Sequence, residues 1–488
     1  MDEEPEEDRF ELRQSTLSDA LDDSNQRELL GLPASDDERC PVVVELNLTH
    51  QGGLRGAEKR FRELYDELEL PGTTKQVANT YMACTLTMNQ VKTLIARDEQ
   101  APQQRERAIY RIWPDFPVKA LIDRSVATVK ADAARRSYEA SGTDITWAII
   151  DSGIDGKHPH FTALQTLEGD VLTLHKDFTE GPDSPLTDEF GHGTHVAGII
   201  AGGCPEEGPA FVARKVARDT ARDGLERRDN VPPVRLTGVA PHCKLISLKV
   251  LDKGGRSRSI QVLEALQYIR ENLNGNGKLQ RVHGVNLSVG YEFDAQWFAC
   301  GQSPLCVEVD RLVRSGVVVV VAAGNTGYGA QTTEAGRAKT GLTLTINDPG
   351  NAALAITVGA THRDSPHTFG VSYFSSKGPT GDGRLKPDLV APGERITSCA
   401  AGASLASVKK LYDLDDEHPG AYVDASGTSM AAPHVSGAVA AFLSIRQEFV
   451  GRPEEVKRIF LENATSLGRE RYFEGHGMLD LMRAIQAV

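Results

Sequence analysis

The chain lacks the features that would place it among membrane, nucleic-acid-binding or disulfide-rich proteins. No apolar run reaches the roughly 18 residues that a membrane-spanning helix needs, so no membrane span is expected. Its 7 cysteines are odd in number and scattered over 488 residues, which favours reduced thiols over a disulfide framework. The formal net charge is -14, and this excess of acid gives no support for nucleic-acid binding.

The N-terminus also lacks the basic and apolar regions of a secretory signal peptide. From this we expect a cytoplasmic protein, in preference to a secreted one. Residues 1–38 hold 14 acidic residues against 3 arginines, a charge of about −11, so the remaining 450 residues carry only about −3. The composition predicts an acidic, disordered leader over residues 1–39.

Three segments carry the residue types of nucleophilic catalysis. Phe190–Gly198 contains His192, Ala148–Asp155 contains an aspartate that ends an apolar strand, and Ser426–His434 contains a serine that opens an apolar helix. A serine hydroxyl needs an adjacent base, and imidazole suits that role because its pKa lies near neutral pH. A buried carboxylate on the other ring nitrogen fixes the imidazole tautomer.

Asp151, His192 and Ser429 follow one another in the chain in the order acid, base, nucleophile. That order, together with the residues around each of the three, resembles the active-site signatures of the subtilisin-like serine proteases, the subtilases. The resemblance implies a serine endopeptidase that hydrolyses peptide bonds through an acyl-enzyme and needs no organic cofactor. Taken singly, the aspartate could be an ordinary strand-end carboxylate and the serine a helix cap.

A fourth segment, Ser315–Asn325, reads as a strand rich in β-branched residues that ends in Gly-Asn. The amide of an asparagine at such a position can donate a hydrogen bond to a tetrahedral oxyanion. The resemblance assigns that role to Asn325, with the backbone N–H of Ser429 as the second donor. The alternative interpretation is a simple Gly-Asn turn.

The resemblance also implies where an extended peptide substrate binds. Ser288, Val289 and Gly290 are similar to the strand that lines one wall of the family's specificity pocket. A second set, similar to the edge that pairs with the substrate backbone, consists of Gly254, Gly255 and Arg256. Without the resemblance, both sets are weak signals of turns.

Several segments depart from the family pattern. Where subtilases usually carry an aspartate that binds structural calcium, this chain has His158-Pro159-His160. The loop that normally supplies the other oxygen ligands is replaced by residues 205–235, and its basic stretch Phe211–Arg228 predicts a solvated helix. We therefore assign no metal ligands and leave a structural calcium open. Residues 331–348 and 404–419 are longer than the loops of the family.

The predicted organisation is an N-terminal domain over residues 40–125 and a catalytic domain over residues 126–488. Strands and helices alternate through the second, which predicts an α/β fold with a doubly wound, mostly parallel sheet and helices on both faces. Residues 40 to 120 predict a small α+β unit in the order β-α-β-α-β. It is similar in position and pattern to the subtilase propeptide, an intramolecular inhibitor and folding chaperone, and the alternative is an unrelated accessory domain.

We therefore expect a zymogen that acts on protein or peptide substrates, with self-cleavage between Trp113 and Val126. Two other functions remain open. One is a catalytically silent binding or scaffold protein, against which the complete triad argues, and the other is a peptide ligase that uses the same site.

Overall fold

The computed structural model describes the chain in two compact units, Met1–Ala120 and Leu121–Val488. The described residues are 16–22, 24, 27, 33–77, 80–114, 124–179, 181, 184–205, 212–219, 225–231, 236–293, 299–333, 336–412 and 421–488. Most of the predicted cleavage region, 113–126, lies outside them.

The N-terminal unit is a four-stranded antiparallel sheet with two main helices. Its strands are β1 (Arg39–Leu46), β2 (Lys75–Val77), β3 (Tyr81–Thr87) and β4 (Ile109–Pro114). Its α-helices are α1 (Asp19–Asp22), α2 (Gly53–Glu67) and α3 (Met88–Asp98), followed by a 3₁₀ turn at Gln104–Glu106. The strand order β2-β3-β1-β4 and the chain order β-α-β-β-α-β are those of the ferredoxin-like motif. The structure thus contains one more strand than the predicted order.

Part of the acidic leader is ordered, contrary to the expectation of disorder over residues 1–39. Leu17 and Leu21 are buried in the hydrophobic core of this unit. The Arg27 side chain is fully buried, donates to the carbonyl oxygen of Pro33 at 3.1 Å and forms an ion pair with Asp36. The leader contains apolar side chains between its acidic residues, and their burial stabilises an ordered structure that the overall composition did not predict.

The second unit is organised by a seven-stranded sheet in the order β15-β14-β11-β10-β5-β9-β6. The strands are β5 (Thr146–Asp151), β6 (Lys176–Asp177), β9 (Lys244–Lys249), β10 (Gly284–Leu287), β11 (Val318–Ala322), β14 (Ile356–His362) and β15 (Leu389–Glu394). All six pairings are parallel. Apart from the short edge strand β6, the strands are mostly apolar and buried because helices cover both faces, which confirms the predicted doubly wound α/β fold.

The α-helices of this unit are α4 (Arg124–Thr128), α5 (Ala131–Tyr138), α6 (Pro159–Thr162), α7 (His192–Ile200), α8 (Ser259–Gln267), α9 (Pro304–Arg314), α10 (Pro366–Phe369), α11 (Gly402–Tyr412), α12 (Thr428–Ile445), α13 (Pro453–Glu462), α14 (Arg471–Glu474) and α15 (Leu481–Gln486). A π-helical turn, Tyr268–Leu273, extends α8, and 3₁₀ turns lie at Gly169–Val171, Gly275–Gly277 and Gln447–Phe449. Helix α12 is long and apolar enough to cross a membrane by composition, but 83% of it is buried inside the protein. It is the central helix of the core.

The inserted segments form β-structure where a helix was predicted. Within the predicted helix 211–228, the structure has β7 (Val212–Asp219), which pairs antiparallel with β8 (Leu225–Val231). β7 also pairs with β17 (Ala421–Ala425), and β16 (Ile396–Ala400) completes a four-stranded sheet. The helix prediction was wrong, and the strand form is stabilised by backbone pairing of β7 with both β8 and the edge of β17. A second hairpin, β12 (Tyr328–Thr333) and β13 (Gly336–Gly341), overlaps the first of the predicted long loops, 331–348.

Candidate active site

Asp151 is the last residue of β5, near the centre of the parallel sheet. Its side chain is only 1% exposed, and its Oδ1 accepts hydrogen bonds from the backbone N–H of Ser152 and from His192 Nδ1, both at 2.8 Å. A carboxylate at the C-terminal end of a strand lies where open α/β sheets place their sites. The strand therefore fixes this acid before any substrate arrives.

His192 is the first residue of α7, and a second buried carboxylate holds the start of that helix. Asp188 accepts from the backbone N–H of Gly191 at 2.7 Å, from both the N–H and the hydroxyl of Thr194, and from the hydroxyl of Ser152 at 2.8 Å. It thereby binds N–H groups that would otherwise be unpaired at the helix start. Sequence reasoning missed Asp188, although an acid just before a helix start is a recognisable signal.

Helix α7 comes close to β5 because Gly193 has no side chain. A Cβ at that position would lie 2.2 Å from the carbonyl oxygen of Gly153 and 3.1 Å from the Cβ of Asp151. The glycine therefore lets His192 reach Asp151. His195 is buried on the same helix and lies 3.0 Å from the carbonyl oxygen of Val423 through Nε2, so it packs α7 against β17.

The electrostatics of His192 suit a base that must become a cation. Burial lowers its pKa, but the charge and hydrogen bond of Asp151 and the charge of Asp188 outweigh burial, so the pKa is raised. Because Nδ1 faces a carboxylate, the neutral ring carries its proton there and leaves Nε2 as the acceptor. The side chain of His192 is 24% exposed, which leaves it accessible to substrate.

Ser429 lies in the first turn of α12, where backbone N–H groups are free. Its hydroxyl donates to the carbonyl oxygen of Ser288 at 3.2 Å, and the Ser288 hydroxyl donates to the carbonyl oxygen of Ser429 at 3.1 Å. Asn286 donates to that second hydroxyl at 2.9 Å and accepts from Ser436. In this conformation the Ser429 hydroxyl therefore bonds to Ser288 rather than to His192, so its pairing with the base stays a prediction.

Asn325 follows β11 and is held by the residue before the candidate nucleophile. Its Oδ1 accepts from the backbone N–H of Thr428 at 2.9 Å and from the Thr428 hydroxyl at 3.2 Å. These two bonds settle the orientation of the amide, because only the oxygen can accept them. The Nδ2 group therefore remains as a donor on an exposed residue beside α12.

The predicted substrate-binding residues fall into two places. Ser288, Val289 and Gly290 continue β10 and lie beside Ser429 through the hydrogen bonds above. The other set follows β9 and forms a tight turn, in which Asp252 Oδ1 accepts from Gly254 N at 2.8 Å and Arg256 N at 2.9 Å.

That turn lies close to the start of α7. A Cβ on Gly255 would lie 2.5 Å from the ring of Phe190, two residues before His192. The side chain of Arg256 is 84% exposed. In this conformation the N–H groups of Gly254, Gly255 and Arg256 all bond within the turn, so their role towards substrate stays a prediction.

Two cavities flank the site. One, of about 450 Å³, is lined by His192, by Phe190, Val423 and Met430, and by Ser404 and Ser407 of α11. The other, of about 370 Å³, has a mixed wall: Phe293, Tyr328, Leu342, Leu344 and Ile346 are its large apolar members, and Glu292, Asn325, Thr326, Thr345 and Asn347 are polar. His192 and Asn325 therefore each open onto a separate binding space.

The residues that replace the calcium aspartate do not fit a calcium ion. His160 is fully buried, with Nδ1 3.3 Å from the hydroxyl of Tyr422 and Nε2 3.2 Å from the carbonyl oxygen of Gly198. Burial lowers its pKa to about 3, so the ring is neutral and both nitrogens are engaged. Calcium prefers six or more oxygen ligands, and the described residues hold no group of three or more His, Cys, Asp or Glu side chains placed for a metal.

The chain is similar to known proteins over most of its length. The model of the subtilase family matches residues 142–478. The chain is 29% identical over 365 residues to serine protease AprX of Bacillus subtilis (strain 168), which covers 73% of this chain and 69% of that protein. It is 28% identical over 361 residues to subtilisin E of the same strain, covering 74% of this chain and 70% of the relative. An intracellular serine protease of Paenibacillus polymyxa is 28% identical over 363 residues, covering 74% and 85%.

Proposed function

Because the chain belongs to the subtilase family, and is thereby a serine endopeptidase, we propose that it cleaves peptide bonds by acyl transfer at Asp151, His192 and Ser429. The observation that carries this proposal is the 2.8 Å contact between His192 Nδ1 and Asp151 Oδ1, which leaves Nε2 free on the side of the substrate. Subtilases generally work without a cofactor and often contain structural calcium.

The chemistry uses each group in turn. Ser429 Oγ attacks the scissile carbonyl carbon while His192 Nε2 takes its proton, and Asp151 stabilises the resulting imidazolium. The tetrahedral oxyanion accepts hydrogen bonds from Asn325 Nδ2 and from the backbone N–H of Ser429. His192 then protonates the leaving amine, and water attacks the acyl-enzyme by the reverse of the same steps.

The two cavities suggest how the substrate is oriented in the proposed reaction. The leaving amine must lie over His192, which protonates it, so the 450 Å³ cavity takes the leaving-group side of the substrate. The side chain of the acyl residue projects two bonds from the carbonyl carbon, and the 370 Å³ cavity beside Asn325 is placed to take it. Since Tyr328 and Leu342 line that cavity and Glu292 lies in its wall, we expect cleavage after large apolar residues in preference to Glu, which the Glu292 carboxylate would repel.

Labelling with a fluorophosphonate and cleavage of a peptide library test the function together. The expected result is one label per chain, lost in Ser429→Ala, with turnover lowered about 10⁶-fold, as in other subtilases that lose this serine. Ser444→Ala is the matched control, because Ser444 lies at the far end of the same helix and bonds to the carbonyl oxygen of Ala441. Normal cleavage by Ser429→Ala would overturn the assignment.

The same experiment separates the alternative functions. A silent scaffold would take no label. A ligase would take the label and, with an added amine nucleophile, would yield mostly joined product. An endopeptidase yields mostly hydrolysed product.

For the N-terminal unit we propose the role of an intramolecular inhibitor that is removed by cleavage between Trp113 and Val126. Its four-stranded sheet with two main helices supports a domain that folds as a compact body. The active enzyme should have a lower intact mass than Ser429→Ala, and the separate unit added in trans should inhibit. A fully active enzyme that keeps residue 1 would make the unit a permanent accessory domain.

A further inference from the structure

Lys377 is a buried lysine whose ammonium contacts backbone carbonyls where a carboxylate would be the usual partner. Its Nζ donates to the carbonyl oxygens of Gly327, Tyr373 and Ser375 at 2.9, 3.0 and 3.1 Å. The residue is 4% exposed, and Nζ also lies 5.2 Å from the centre of the Phe473 ring. All three ammonium hydrogens are thus used, and no carboxylate pairs with this group among the described residues.

Two other buried lysines show how unusual this arrangement is within the molecule. Lys386 pairs with Asp388 at 2.6 Å, and Lys249 pairs with Glu189 at 3.3 Å. A buried charge is costly unless it is paired, and carbonyl dipoles compensate it less completely than a carboxylate does. Burial accordingly lowers the pKa of Lys377. Such a group is retained at a cost in folding stability, which points to a role at the site beside it.

The carbonyl group of Gly327 connects the candidate oxyanion loop, residues 324–327, to the 370 Å³ cavity. Gly327 lies two residues after Asn325, and its carbonyl oxygen also accepts from the backbone N–H of Leu342 at 3.0 Å. Leu342 is part of the cavity wall. The Lys377 ammonium therefore bonds to the Gly327 carbonyl, which belongs to the oxyanion loop and also bonds to the cavity residue Leu342.

The segment that carries Lys377 holds the rest of the oxyanion loop by direct bonds. Gly327 N donates to the carbonyl oxygen of Phe374 at 3.0 Å, and Ser376 N donates to that of Gly324 at 2.9 Å. Thr326 N donates to the Ser376 hydroxyl at 3.1 Å. A Cβ on Gly327 would lie 1.9 Å from the carbonyl oxygen of Ser375 and 2.6 Å from Lys377 Nζ, so the two segments are in direct contact.

We propose that Lys377 is a positioning residue for the oxyanion donor, whose ammonium fixes the carbonyl of Gly327 and so holds Asn325 Nδ2 where negative charge develops. The inference rests on the proposed acyl-transfer function. It predicts that loss of the ammonium weakens binding of the transition state more than binding of the substrate.

The test measures kcat and KM separately, on active enzyme counted by fluorophosphonate titration. Lys377→Met should lower kcat about tenfold or more with KM within about twofold, because small displacements of a catalytic donor are costly. Affinity for a peptide boronic acid, which imitates the tetrahedral state, should fall by a similar factor. Lys377→Arg keeps the charge and donors and should recover part of both losses.

Two further variants separate positioning from general destabilisation. Lys386→Met removes another buried lysine, so it should lower the melting temperature while leaving kcat unchanged. In an Asn325→Leu background, Lys377→Met should lower kcat by less than about twofold, since its effect passes through the missing amide.

Three results would overturn the proposal: an unchanged kcat in titrated Lys377→Met, equal losses for Lys386→Met, or full additivity with Asn325→Leu. If Lys377→Met does not fold, Lys377→Gln replaces it with the same readouts. Absence of any titratable centre in the unmodified enzyme would count against the acyl-transfer function itself and is thereby distinguishable.

Discussion

The two halves of the candidate active site are built around opposite charges. The base half contains His192 and two buried carboxylates, Asp151 and Asp188, and the proposed chemistry creates a cation there. The oxyanion half contains the Asn325 amide and the first turn of α12, with the buried Lys377 ammonium on nearby Gly327, and the proposed chemistry creates an anion there. Each half thus carries fixed charge or dipoles opposite in sign to the charge that the reaction develops there, so little reorganisation is needed.

The halves also differ in how their reacting groups are held. Asp151 and His192 lie on a strand end and a helix start, so secondary structure fixes them. Asn325 lies in a loop: Thr428 bonds to its side chain, and Ser376 and Lys377 bond to the two residues that follow it. We therefore expect substitutions in the base half to lower activity mainly by changing the charge around His192. Substitutions in the oxyanion half should lower activity mainly by displacing or removing the Asn325 amide.

The largest expected effect is in the base half. Asp151→Asn keeps the shape of the side chain but favours the wrong tautomer of His192, so kcat should fall about 10⁴-fold, as in other Asp-His-Ser proteases. Steady-state kinetics on titrated enzyme measure it, with Asp155→Asn as the control on the loop after β5. A loss below about tenfold would mean that Asp151 does not orient the base.

In the oxyanion half, Asn325→Leu removes one donor at similar volume. We expect kcat to fall about 10²- to 10³-fold with little change in KM, because the bond is made fully only in the transition state. Asn463→Leu, at the end of α13 and remote from the catalytic residues, should leave kcat unchanged. A change confined to KM would show that Asn325 only positions the substrate.

The pH profile separates the two halves. The raised pKa of His192 means that kcat/KM should fall tenfold per pH unit on acidification, starting above pH 6.5. Asp151→Asn removes the largest contribution that raises this pKa and leaves only the charge of Asp188, so its acid limb should move to lower pH, whereas Asn325→Leu should leave the limb in place. An unmoved limb in Asp151→Asn would contradict the assigned cause of the shift.

A smaller effect concerns the support beneath the base half, where His160 bonds to Gly198 of α7. Its pKa is about 3 in the folded chain against 6.5 for the free group, so the unfolded chain binds a proton that the native state does not. The stability is therefore fully present above pH 6.5 and falls as the pH drops from there towards 3.

His160→Phe should lower the melting temperature at pH 7 by a few degrees, because two hydrogen bonds are lost. It should also reduce the further drop between pH 7 and pH 5 relative to the unmodified protein. Calorimetry at both values tests this, with the exposed His476→Asn as control. An unchanged slope would mean that other groups carry the acid sensitivity.

The smallest expected effect is that of calcium. Since neutral His160 stands in place of a ligating carboxylate, chelation should lower the melting temperature by a few degrees or less. Strong stabilisation by micromolar calcium would show that other residues form a site.

The sequence predicted the fold class and the candidate catalytic residues because both depend on local signals. Apolar strands that alternate with helices indicate a doubly wound sheet, and the segments around His192 and Ser429 carry recognisable spacing. The helix expected at 211–228 was wrong for the opposite reason. Strand β7 pairs with β8 in a hairpin and also with β17, about 200 residues away, and no local pattern encodes the second partner.

By itself, then, the sequence determined the chemistry: which aspartate, histidine, serine and asparagine are the candidates, and on which kind of element each lies. Tertiary structure alone decided how those groups are held. The hydroxyl of Ser152 reaches Asp188 across 36 residues, and Lys377 reaches Gly327 across 50 residues. Residue types and spacing follow from local backbone preferences, whereas the environment of a buried charge depends on which distant carbonyls the packed chain brings around it.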